Sequence, residues 1–143
     1  MKHHEAYFKG YQNFNIFYQC WLPEGYPNAI LLIAHGFAEH SGRYGNVVNY
    51  FVPRGYAVYA LDHRGHGKSQ GERVHVDDFH DYVIDLKTFF DITREKNPAN
   101  KIFLIGSIDK KFKPYAGLLH EIFNEPEYPQ VMTDIEEWLK NHI

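Results

Sequence analysis

A chain of 143 residues with 44% hydrophobic and 17% aromatic content is large and apolar enough to bury one core of ordinary domain size, so a single domain over residues 1–143 is expected. Its formal net charge of -3 offers no basic field to hold nucleic acid, and nucleic-acid partners are excluded on that ground. The one cysteine, Cys20, can form no intrachain disulfide, and Met1-Lys2-His3-His4 leads into no apolar signal core; a reducing, cytoplasmic setting is expected. The longest aliphatic run, Ala29 to Ala34, falls far short of the roughly 20 residues that cross a bilayer, which leaves peripheral membrane contact open.

Tyr7 to Phe8 and Phe14 to Trp21, separated by Gly10 and Asn13, read as an N-terminal β-hairpin at an edge of a sheet. Ala29 to Ile33 is a continuous aliphatic run, as in a strand buried on both faces of a parallel sheet. Tyr44, Val47, Val48, Phe51 and Val52 recur at helical spacing, and Gly55 stands where a left-handed cap would fall. Tyr56 to Leu61 is a second strand. Val76, Phe79, Tyr82, Val83, Leu86, Phe89 and Phe90 form one apolar helical stripe, with Asp77 and Asp78 at the end where the helix dipole favours negative charge. Lys101 to Ile105 is a third buried-type strand, Phe112 to Tyr115 a short one, and Val131, Met132, Ile135, Trp138 and Leu139 mark a closing helix opened by Pro129. Alternating strands and helices imply a doubly wound, mostly parallel α/β sheet.

Ligands of such sheets bind beyond the carboxyl ends of the strands. The turn His35-Gly36-Phe37-Ala38-Glu39 follows the first aliphatic strand; it can aim backbone N–H groups at an oxyanion, or be an ordinary tight turn. In Asp62-His63-Arg64-Gly65-His66-Gly67-Lys68-Ser69, Asp62 and Arg64 can pair across the loop as a structural brace. Gly117-Leu118-Leu119-His120-Glu121 places His120 after the last short strand, as a general base or a surface histidine. His63 with His66 and His75 with His80 are close in sequence, but no carboxylate or thiol set completes either pair, so neither a metal nor a cofactor is expected.

Four segments together carry a resemblance: His35-Gly36-Phe37-Ala38-Glu39-His40-Ser41-Gly42-Arg43-Tyr44, Gly55-Tyr56-Ala57-Val58, Asp62 to Ser69, and Gly117 to Glu121. They resemble the monoacylglycerol lipases and related lysophospholipases of the α/β-hydrolases, from the hairpin to the final helix. The resemblance implies a serine ester hydrolase acting on monoacylglycerols or similar lipid esters. It places half of an oxyanion hole at the Phe37 backbone N–H and the triad histidine at His120.

The likeness breaks after the third strand. In the family that strand runs into a Gly-x-Ser-x-Gly elbow, whereas here Ile105-Gly106 is followed by Ser107-Ile108-Asp109-Lys110-Lys111. Gly106 to Asp109 also matches the Gly-x-x-Asp turn that carries the family's acid, but Asp109 stands only 11 residues before His120, whereas the family places a helix there. Ser107 and Asp109 remain stand-in candidates for nucleophile and acid. A crossover between parallel strands takes about a dozen residues or more, and only Gly106 to Lys111 lies before Phe112. An incomplete hydrolase sheet is therefore expected, with elbow, lid and acid-bearing strand absent, and with impaired activity. The alternative is a non-catalytic scaffold whose open sheet forms a homodimer or swaps segments.

Overall fold

A computed structural model of the chain describes residues 1–106 and 128–143. Five strands form one sheet in the order β1-β2-β4-β3-β5: β1 (Lys2–Lys9), β2 (Asn15–Leu22), β3 (Ile30–Ala34), β4 (Ala57–Leu61) and β5 (Ile102–Gly106). β1 pairs antiparallel with β2, and β2 antiparallel with β4; β4, β3 and β5 are mutually parallel. The sheet is thus mixed, with the hairpin at one edge.

Helices cover both faces, as a doubly wound sheet requires. On one face, α1 (Gly45–Phe51) and α3 (Tyr128–Lys140) bury Val47, Val48, Phe51, Met132 and Leu139 against Leu31, Ile33, Val58 and Ala60. On the other, α2 (Phe79–Lys96) buries Phe89 against Ile30, Leu32, Tyr59 and Leu61. The aliphatic runs of β3 and β4 serve both cores because successive side chains point to opposite faces.

The helix expected from Tyr44 to Val52 ends at Phe51, and Val52–Arg54 tightens into a 3-10 turn. Pro53 has no N–H to continue the α-helical ladder. Gly55, at φ 88°, then closes the chain with Gly55 N–H donating to the Val52 carbonyl and Tyr56 N–H to that of Phe51, the paired bonds of a Schellman cap. α2 starts three residues later than Val76, because the Asp78 carboxylate accepts from His80 N–H (2.8 Å) and caps it.

Two expectations of burial are corrected. The first half of the α2 stripe is less covered than the second, with Phe79 64% and Val83 45% exposed while Phe89 is fully buried. β5 is not covered on both faces: Leu104 is 60% exposed, and no strand among the described residues pairs with its outer edge. The short strand Phe112 to Tyr115 lies outside the described residues.

Candidate active site

β3 and β4 are neighbours and parallel, so the loops after them emerge side by side at their carboxyl ends. Asp62, which is 2% exposed, ties the two together. Its carboxylate accepts from Ser41 N–H (2.6 Å) in the loop after β3 and from Lys68 N–H (2.8 Å) in its own loop. The expected Asp62–Arg64 pair does not form. Arg64 turns the other way and makes a two-pronged contact with Asp85 (Nε 2.8 Å, Nη2 3.0 Å), with Asp81 at 3.1 Å from Nη1. Asp81 and Asp85 stand four residues apart on one face of α2, a spacing visible in the sequence that a search for a partner within the loop passes over.

The turn after β3 is held from both sides. Glu39 Oε2 accepts from Gly36 N–H (2.9 Å) and from the Tyr44 hydroxyl (3.0 Å). Burial, with Glu39 beside it, pushes that phenol well above its usual pKa, so it stays a donor. Glu39 N–H reaches the Gly36 carbonyl at 3.3 Å, and Ala38 takes a positive φ of 60°. The buried His35 ring contacts the same carbonyl through Nδ1 (2.7 Å) while His63 N–H donates to its Nε2 (2.9 Å). A carbonyl can only accept and an amide N–H only donate, so His35 is the neutral Nδ1–H tautomer. Its pKa lies below the ordinary histidine value, first because burial opposes the charge.

Phe37 sits at the tip, with its side chain 82% exposed. Among the described residues nothing accepts from its backbone N–H. An unclaimed N–H at the carboxyl end of a central strand can stabilise an anionic oxygen. His63 and His66 pack against the His35 ring, with centroids 4.5 and 5.2 Å from its own. Burial, reinforced by the two neighbouring imidazoles, pushes His63 down to about 3. No group of three metal-binding side chains occurs among the described residues. Ser107, Asp109 and His120 lie outside the described residues.

One literal Gly-x-Ser-x-Gly does occur, at Gly67-Lys68-Ser69-Gln70-Gly71, and a reading confined to the end of β5 misses it. It is not an elbow. Ser69 is fully buried; its Oγ accepts from Phe17 N–H (2.8 Å) and donates to the Asp62 carbonyl. Both the lone pair and the proton that attack would use are occupied by structure.

The open α/β sheet with this turn after its first parallel strand defines an α/β-hydrolase scaffold. A carboxyl esterase from Bacillus coagulans, solved with glycerol, superposes with a TM-score of 0.65 at 28% identity over 73% of this chain and 36% of that one. A monoglyceride lipase from Saccharomyces cerevisiae gives 0.64 at 21% identity, over 74% and 35%. In sequence, the monoacylglycerol lipase of Mycolicibacterium smegmatis is 41% identical over 102 residues, which are 71% of this chain and 36% of that protein. Human monoglyceride lipase is 40% identical over 91 residues, 64% of this chain and 30% of that one. Residues 25–108 match the family described as serine aminopeptidase, S33. The chain therefore belongs to that family of α/β-hydrolases, and its likeness is to the monoacylglycerol lipase type. It spans about a third of the length of these relatives.

Proposed function

We propose that the chain carries the oxyanion-binding part of a lipid-ester hydrolase of monoacylglycerol lipase type, and that alone it has little or no turnover. When a serine attacks an ester carbonyl, negative charge develops on the carbonyl oxygen, and a preset N–H there is worth roughly 3 kcal/mol. The observation that carries the proposal is the Phe37 N–H, unclaimed among the described residues, in a turn held by His35 and Glu39. His120 is the expected base, and Ser107 and Asp109 are the stand-ins for nucleophile and acid. Impaired turnover follows from the missing elbow after Gly106 and from the structural role of Ser69. The substrate class proposed is a monoacylglycerol-like ester, met in a cytoplasmic setting or at a membrane surface. No helix among the described residues is long and apolar enough to cross a membrane.

A fluorophosphonate probe tests this directly. The expected result is no covalent labelling and no hydrolysis of a short-chain monoacylglycerol. A serine labelled stoichiometrically, with ester turnover, would overturn the inactive reading.

One feature favours a second reading, a non-catalytic scaffold that self-associates. Among the described residues no strand pairs with the outer edge of β5, beside the exposed Leu104, and unpaired edges recruit other strands. Sedimentation velocity decides: a homodimer or segment-swapped dimer supports the scaffold, and a monomer at all concentrations removes it.

A further inference from the structure

The Gly36 carbonyl and the Phe37 N–H belong to one peptide unit. A trans peptide is planar, and its C=O and N–H point in opposite directions. Whatever holds the carbonyl therefore aims the amide. Two donors hold it: His35 Nδ1–H at 2.7 Å and Glu39 N–H at 3.3 Å. The shorter bond comes from a side chain only 4% exposed.

We propose that His35 is the positioning residue of the Phe37 donor, a tautomer-locked latch in which the His63 N–H holds the proton on Nδ1 and Nδ1–H pins the Gly36 carbonyl. The proposal rests on Phe37 being the oxyanion donor. His35 touches no reacting atom; it acts through the peptide plane. A hydrogen bond to the carbonyl also polarises the unit, which strengthens its N–H as a donor.

The latch has a forbidden state. The other tautomer would put a proton on Nε2, facing the His63 N–H, and leave Nδ1 bare against the Gly36 oxygen. Two contacts would turn repulsive at once. The cation fails at the first of them. From the loop after β4, His63, His66 and Asp62 face the ring; from its own turn, Glu39 does. Burial is the main opponent of the cation and the His66 imidazole adds to it; the Gly36 carbonyl, Asp62 and Glu39 favour it, but both carboxylates are already engaged by N–H donors. With Nε2–H barred by the His63 N–H and burial opposing the charge, the latch gives up its neutral form only below the ordinary histidine value.

The test uses the full chain labelled with nitrogen-15. Long-range nitrogen–proton correlation reports the His35 tautomer, and the Phe37 amide reports the donor. The expected result is a protonated Nδ1 and a bare Nε2 at pH 8, with any titration displaced below the ordinary histidine value. A ring in the Nε2–H form, or one that titrates as a free histidine does, overturns the latch. Decylphosphonate then serves as the oxyanion probe. Wild type is expected to shift the Phe37 amide on binding, His35→Phe to bind about tenfold more weakly, and His35→Asn, whose side-chain amide can donate from the Nδ1 position, to recover most of the loss. Equal binding by wild type and His35→Phe refutes the positioning role. A correct tautomer with no Phe37 response to the phosphonate refutes instead the oxyanion reading, leaving the latch intact. Should His35→Phe fail to fold, the tautomer and pH measurements on wild type still decide.

Discussion

Replacing Asp85 by alanine should be among the costliest single changes in this protein. The Arg64 side chain is 4% and that of Asp85 0% exposed, so the guanidinium is shut away from water. It is held by the Asp85 fork, by Asp81, and by donation to the Tyr11 carbonyl (3.1 Å), with the Phe14 ring 4.9 Å away. Asp85 Oδ1 also accepts from Tyr11 N–H (2.8 Å). Removing one partner of a buried pair costs about 3–5 kcal/mol, and a stranded buried N–H about 1–3 more. Asp81 retains part of the compensation, so the expected loss is about 4 kcal/mol, against total stabilities of roughly 5–15 kcal/mol for ordinary domains. Urea unfolding followed by Trp21 and Trp138 fluorescence measures it. The replacement Arg64→Met with Asp81→Asn and Asp85→Leu, which leaves no carboxylate of the cluster without its cation, should recover much of the loss, because the cost lies in the unpaired charge and not in missing attraction. A loss under about 1 kcal/mol for Asp85→Ala would show that the pair is not desolvated and would refute the reasoning.

Acid should destabilise the fold through His63. Its folded value of about 3 lies below the ordinary 6.5, so between those limits the unfolded chain binds the extra proton. The neutral form's contribution is complete above pH 6.5 and declines at up to about 1.4 kcal/mol per pH unit as pH falls towards 3. His63→Phe, which keeps the backbone N–H to His35, should flatten that part of the stability profile; parallel profiles for the two proteins would contradict the assignment. Ser69→Ala should cost about 1–3 kcal/mol in denaturant titration by stranding the Phe17 N–H, and wild-type Ser69 should carry no fluorophosphonate adduct; an adduct mapped to Ser69 would make it a nucleophile. Leu104→Lys puts a charge beside the β5 edge and should shift any dimer to monomer in sedimentation velocity; an unchanged dimer would place the contact elsewhere.

Much of the architecture was legible from local pattern. The runs 29–33 and 56–61 carry no polar residue but the tyrosines Tyr56 and Tyr59, and only a strand covered on both faces suits such a run. Gly55 announced its positive φ because few other residues adopt it cheaply. The resemblance carried by His35-Gly36-Phe37 pointed to Phe37 as an oxyanion donor, and among the described residues nothing accepts from its N–H.

What periodicity could not supply was which partner each polar group finds. Arg64 is bound to Asp81 and Asp85, 17 and 21 residues on, instead of Asp62 two residues back, because the sheet carries Asp62 between two loops while α2 packs over the guanidinium. The tautomer of His35 depends on an amide 28 residues away. Exposure of Phe79 and Leu104 was equally hidden, since an apolar stripe states what a surface could bury and not whether anything lies across it. Local propensity and hydrophobic period act over a few residues and are written in the chain. Hydrogen-bond partners, proton positions and the limits of the core depend on segments that meet only when the sheet has formed.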